Sequence, residues 1–364
     1  MRDKWQPGGL TRRALLAGTG AGLAAACTNS PVPSPAPDVV SPNGPHQPGV
    51  ATPAQPHCQL VFLTLVAPPG QWASLLAGLG KRIAHLATRG GDALAGMPPS
   101  DLTTTVGVGP RVVASVDPEL PGATELPEFT RERIEPARRG ADLTLQVCAT
   151  DPLVVTLAMT ELVSFLGASA QVRWRQTLFR GPTLPGTPAA RNLLGFTDGI
   201  VAPPDLDAGV WLRGPERVRG GTIGVYRAMR LDVDRFLALD VSAQERVFGR
   251  RRGTSEPLSG GGAASDVDLQ AKSPDGEYLI PVDAHVRRAH PRAAGVPLML
   301  RRSYSMEDGL MFISFQDSVR TFVATQARMD EGDALMSFVT VVGSAVVLIL
   351  PGFGDGTELG ASLF

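Results

Sequence analysis

Apolar positions along the chain fall into short blocks of two kinds. Leu60 to Val66 is a nearly continuous apolar run, the pattern of a buried strand. Gln71 to Ala87 then sets Trp72, Leu75, Leu76, Leu79, Ile83 and Leu86 at helical spacing. Thr103 to Val108 reads as a short strand ending at Gly109-Pro110, Asp142 to Ala149 as another, Pro152 to Leu166 as a helix and Ala170 to Phe179 as a strand. The order β-α-β-β-α-β is the ferredoxin-like arrangement. A similar order recurs downstream. Gly221 to Met229 is a strand, and Asp232 to Leu239 begins a helix. Pro297 to Tyr304 and Leu310 to Gln316 pair across Met306-Glu-Asp-Gly309, Val319 to Met329 and Asp333 to Val342 are helical, and Ala345 to Leu350 closes the pattern as a strand. The recurrence is one of pattern, not of residue identity. It predicts an α+β protein of two ferredoxin-like modules, residues 57–190 and 191–364, linked through the Gly/Pro-rich stretch 181–188, with 252–276 as a long surface loop.

Composition narrows the function classes. With 34 basic and 35 acidic side chains among 364 residues, the net charge of -1 gives no electrostatic argument for nucleic acid or an anionic membrane surface. No stretch of the body reads as long and apolar enough to span a bilayer. Residues 1–27 read as a targeting segment: Thr11-Arg12-Arg13 precedes an apolar, Ala-rich run that ends at Cys27. The paired arginines resemble a twin-arginine signal, which sends folded proteins, often already carrying a cofactor, to the cell envelope or beyond. Ala24-Ala25-Ala26-Cys27 resembles a lipobox with Ala24 in place of the usual Leu, so either a lipid anchor at Cys27 or simple cleavage near the Ala run is expected. Residues 28–56, rich in Ser, Pro, Ala, Gly and Gln, read as an extended linker. Cys58 and Cys148 lie too far apart in sequence for a zinc or iron–sulfur motif; two buried thiols and a disulfide both stay open.

Few residues carry candidate chemistry. In Gly195-Phe-Thr-Asp198-Gly199 a carboxylate sits between glycines that allow positive φ and close approach to a ligand. It is a turn residue or a positioned acid/base. His285 follows a strand-like run that breaks at Asp283-Ala284, and it is a structural hydrogen-bonder or an axial ligand. Arg301 and Arg302 follow an apolar run. Neighbours on a strand point to opposite faces, so one arginine can enter a site while the other faces out. Gly107-Val-Gly109 lacks the rest of a dinucleotide fingerprint, and no P-loop, His-Glu-x-x-His or Cys-x-x-Cys-His motif occurs.

Taken together, several segments resemble the dye-decolourising peroxidases, and most of all their exported deferrochelatase/peroxidase-like subgroup. The resemblance rests on Arg191-Asn-Leu-Leu-Gly195-Phe-Thr-Asp198-Gly199, Leu145 to Pro152, Glu245-Arg-Val-Phe-Gly-Arg250, Asp283-Ala-His285-Val-Arg287, Leu298 to Ser305 and Gly309 to Gln316, occurring in the family's order from about residue 58 onward. It implies the dimeric α+β barrel type of fold, with haem b in the C-terminal module. It implies His285 as the ligand of the haem iron, Asp333 as the carboxylate behind it, Asp198 as acid/base towards hydrogen peroxide and Arg301 as charge stabiliser. Leu310, Phe312 and Arg250 would complete the cofactor pocket. The implied reaction is peroxide-driven oxidation of a small-molecule, dye or metal reductant. The alternative is haem handling or iron uptake with secondary peroxidase activity, and with iron-uptake partner proteins or a homo-oligomer. The chain departs from the pattern at Thr197 (often Lys), at Ile200 to Pro203, at His290 (usually Asn) and at Ser303 (usually Gly or Asn), which bears on substrate preference more than on haem binding.

Overall fold

Strands β1 (His57–Leu65), β2 (Thr103–Val108), β3 (Leu143–Ala149), β4 (Ala170–Phe179), β5 (Thr222–Leu231), β6 (Leu300–Arg301), β7 (Tyr304–Met306), β8 (Gly309–Gln316) and β9 (Val339–Ile349) form one sheet in a computed structural model that describes residues 39–354 and 356–364. The order is β5-β9-β2-β3-β1-β4-β7-β8-β6, and β5 also pairs with β8, so the sheet closes into a barrel with β6 as an extra edge on β8. The order β4-β1-β3-β2 and the order β7-β8-β5-β9 are the same ferredoxin-like arrangement used twice. Two short ladders join them: Gly107↔Ile349 and Val108↔Leu348 between β2 and β9, and Phe179↔Ser305 between β4 and β7.

Alternation along the strands separates two cores. Cys58, Leu60 and Phe62 of β1 face into the barrel, where Trp174, Tyr226, Tyr304, Met311, Ile313 and Phe315 fill the space. Val61 and Leu63 face out and are covered by the Trp72–Thr88 and Pro152–Leu166 helices. The second helix starts cleanly because the Asp151 side chain accepts the Leu153 N–H at 2.8 Å and Pro152 occupies the first turn. Contrary to the sequence reading, the stretch Pro152–Ser169 is long and apolar enough, by composition, to cross a membrane. In the fold Val154, Val155, Ala158, Met159, Leu162 and Leu166 of this helix are core residues.

Three expectations are corrected. Asp333 to Val342 is not a helix: a 3-10 turn covers Ala334–Phe338, and β9 starts at Val339, where the β-branched run Val339-Thr-Val-Val342 pairs with β5. Pro297 to Tyr304 is not one strand; only Leu300–Arg301 and Tyr304–Met306 pair with β8. Residues 43–56 are not a free linker. The Gln47 side chain donates to the carbonyls of Val106 and Leu350 (2.8 Å each) and accepts from the Val106 N–H (2.7 Å). Val50 is buried, and His46 stacks on Trp211 at 3.8 Å. The predicted targeting segment 1–27 and residues 28–38 lie outside the described residues.

A buried ion pair ties the two halves together. Arg227 of β5, 1% exposed, meets Glu132 at 2.5 Å and donates to Ser344 Oγ at 2.9 Å, and its guanidinium lies over Phe129 and Phe322. Burial pulls the Arg227 guanidinium below its ordinary pKa, against the pull of Glu132. Glu132→Ala would strand a buried cation, and the expected loss is about 3–5 kcal/mol of stability, read as a lower denaturant midpoint at unchanged slope.

Candidate functional site

A cavity of ≈ 540 Å³ lies against the outer face of β5 and β8. On β8, Leu310 and Phe312 point into it while Met311, Ile313 and Phe315 fill the barrel. The Val319–Asp330 helix covers it with Phe322, Thr325, Gln326 and Met329, spaced i, i+3, i+4, i+7 on one helical face. Met229, Phe248, Met336 and Val339 add further apolar wall.

Asp198 reaches the cavity from a tightly tied loop. Its N–H donates to the Ala190 carbonyl at 3.0 Å, and Asn192 Oδ1 accepts from the N–H groups of Leu194 (3.1 Å) and Phe196 (3.3 Å). Arg191 donates to the carbonyls of Gly195 (2.6 Å), Arg252 and Gly253 (2.7 Å), and Thr197 Oγ1 meets Ser255 Oγ at 2.6 Å. Gly195 is needed here: its φ is +83°, and a Cβ would sit 2.8 Å from the Arg252 side chain. So the loop is a turn and also aims its carboxylate at a cavity. Among the described residues no hydrogen-bond donor engages that carboxylate.

Arg301 sits on β6 opposite Ser314 and lines the same cavity. One guanidinium nitrogen donates to the Val201 carbonyl at 3.2 Å, while Nε is buried and has no partner among the described residues. Arg302 turns to the other face, as strand parity requires, but that face is the barrel interior and not solvent. It is 3% exposed and donates to the carbonyls of Thr52 and Pro53 and to Gln55 Oε1.

His285 opens a short helix, and its Nδ1 lies 2.7 Å from Asp333 Oδ2. The Asp333 side chain is 0% exposed, and its other oxygen accepts the Leu335 N–H at 2.8 Å. An ionised carboxylate can only accept, so Nδ1 is the donor in this pair and Nε2 is the ring nitrogen left for a ligand. Asp333 itself stands behind the cavity, while His285 lines it. Arg250 also lines the cavity, though its guanidinium is largely committed to the carbonyls of Ser255, Ala263 and Ser265 (2.9–3.1 Å), which pins the 252–276 loop. Burial lowers its pKa from the ordinary value.

Sequence reasoning missed the covering helix face, whose periodicity was readable but is diluted by Thr325 and Gln326. It also missed the pair His290–Asp266 in the wall (3.4 Å), which joins two irregular segments and has no local signal.

Residues 47–180 match the N-terminal model of Dyp-type peroxidases and residues 189–354 the C-terminal one. The chain is 33% identical to the dye-decolorizing peroxidase of Thermobifida fusca (strain YX), over 87% of this chain and 83% of that protein. It is 31% identical to the deferrochelatase of Escherichia coli O6:K15:H31 (strain 536 / UPEC), over 97% and 96%. Among solved structures, an X-ray generated oxyferrous/water mixed complex of DtpA from Streptomyces lividans superposes with a TM-score of 0.84 at 31% identity, covering 90% of this chain and 98% of that one.

Proposed function

The chain belongs to the Dyp-type peroxidase family, and from that premise we propose how its residues divide the work of a haem-dependent peroxidase. The residues present fit the cofactor. A slab of apolar side chains bounds a cavity of ligand size. It also holds an imidazole backed by a buried carboxylate, the arrangement that orients the ring and raises the basicity of a metal ligand. His285 Nε2 would hold the haem iron, with Asp333 fixing the ring. When bound, haem supplies the two-electron reduction of hydrogen peroxide and the one-electron oxidation of a donor.

The chain's own part is proton handling and electrostatics. Asp198 removes the proton of peroxide and returns it to the oxygen that leaves as water. Arg301, whose Nε has no partner among the described residues, stabilises the negative charge that grows as the O–O bond breaks. Leu310 and Phe312 keep water out, which strengthens both effects. Arg250 holds the 252–276 loop as a wall of the cofactor pocket.

The observation that carries this reading is the His285–Asp333 pair behind a cavity that Asp198 and Arg301 also line. A visible spectrum with and without peroxide tests it: a Soret band that shifts on adding peroxide and returns on adding a donor is expected, and a band indifferent to peroxide overturns it. Asp333→Asn is expected to weaken haem-iron binding or activity about 10–100-fold, measured by haem titration. The second reading, deferrochelatase-like handling of haem or oxidation of ferrous iron, is favoured by the 31% identical relative. It predicts metal-free porphyrin fluorescence after incubation with haem, or ferrous iron consumed faster than phenolic or anthraquinone dyes.

The division at 190/191 is supported by the twofold use of one strand order. Arg12-Arg13 and the Ala24-to-Cys27 stretch support export by the twin-arginine route to the cell envelope or beyond, with Cys27 as a lipid attachment point. Mass spectrometry of the mature N-terminus tests this.

A further inference from the structure

Cys58 on β1 and Cys148 on β3 are register partners in an antiparallel ladder, both free and both buried in the barrel interior. Directly opposed residues in such a ladder have Cα atoms about 4.5–5.5 Å apart. That lies inside the span of about 4.4–6.8 Å that a disulfide bridges.

Arg302 brings a buried guanidinium to the same place. Its acceptors are the neutral oxygens of Thr52, Pro53 and Gln55, and among the described residues no carboxylate pairs with it. A buried cation with only neutral acceptors is costly, and the thiols beside it are the groups able to supply a counter-charge. Burial alone would raise the Cys148 thiol, but the neighbouring Cys58 thiol and the charge of Arg302 bring it down to about 7. Burial and then the neighbouring Cys148 push Cys58 up.

Tyr304 connects this cluster to the cavity. Its hydroxyl donates to Cys148 Sγ at 3.7 Å. It also borders a small cleft together with Asp198, Ser303 and Leu310, each of which lines the large cavity.

We propose that Cys58 and Cys148, opposed across the β1–β3 ladder, form an internal two-electron donor to the haem site, linked to it through Tyr304 and ending as a Cys58–Cys148 disulfide. This rests on the haem-peroxidase reading above. The balance closes with peroxide as the oxidant. Reducing hydrogen peroxide to two waters consumes two electrons and two protons. Cys148 gives up one electron and its proton. Its sulfur radical then bonds to the Cys58 sulfur as Cys58 releases its proton. The resulting disulfide radical anion gives up the second electron and becomes the neutral disulfide. The two thiols supply both protons. The pair would return the site to rest when no outside donor is present, before the aromatic residues of the barrel are oxidised.

The test uses the haem-loaded full chain, first reduced with a phosphine and freed of it. It is mixed with one equivalent of hydrogen peroxide and no donor. The haem spectrum is followed, and samples are quenched in acid, alkylated and peptide-mapped. As the peroxide-induced spectrum decays, the Cys58 and Cys148 peptides are expected to merge into one disulfide-linked species. In Cys148→Ser the first spectral change should be as fast as before, and the decay several-fold slower. Tyr304→Phe should slow the linkage without changing the first step. Free thiols at both positions after the decay would overturn the proposal. So would equally fast linkage in haem-free protein, which would mean direct oxidation by peroxide. A spectrum that ignores peroxide fails at the earlier reading and takes the internal donor down with it.

Discussion

Asp198→Asn is expected to leave haem loading intact and to slow the peroxide-driven spectral change by about 10²–10⁴-fold. The amide keeps the size of the side chain but cannot accept and return a proton. Folding should be indifferent to the change. The loop is held by the Asp198 backbone N–H, by Arg191 and by Asn192, and no described donor relies on the Asp198 carboxylate. This separates a chemical defect from a structural one more cleanly than a change at Gly195, where any Cβ collides with Arg252. Stopped-flow mixing with peroxide reads the rate directly, and an unchanged rate removes Asp198 from the mechanism.

His285→Ala is expected to lose most haem, a larger effect than the roughly 10–100-fold expected when only the supporting carboxylate is changed. No other imidazole on the cavity wall can replace it. His290 accepts the Arg292 N–H on Nδ1 (3.2 Å) and faces Asp266 with Nε2, so both of its nitrogens are engaged. The change also leaves Asp333 buried without its partner, so some stability is lost as well. Free imidazole added to the variant distinguishes the two effects: refilling the hole should restore the bound-haem spectrum, whereas a purely structural defect would not respond. Full haem retention with an unaltered spectrum would rule His285 out as the ligand.

The strands of the first half were legible because long apolar runs alternate with one amphipathic helix and one apolar helix. The second half was harder to read. Val339-Thr-Val-Val342 continues a helix-like stretch of sequence, and only its pairing with β5 makes it a strand. Strand parity correctly sent Arg301 and Arg302 to different faces. It could not say that the second face is enclosed, because closure of the sheet depends on contacts between residues far apart in sequence. Asp198 was marked by its flanking glycines. The His285–Asp333 pairing spans 48 residues and two irregular segments, so local pattern carries no trace of it, and only the family resemblance suggested it.

Closure of the barrel bears on how the N-terminus can mature. The β2–β9 junction has only two residue pairs, and Gln47 bridges it by bonding strand β2 at Val106 and the end of β9 at Leu350. The segment just upstream of the first strand is therefore a clasp across a seam. Any proteolytic trimming that preserves this clasp has to stop before His46, and removal up to Pro56 would take the clasp away.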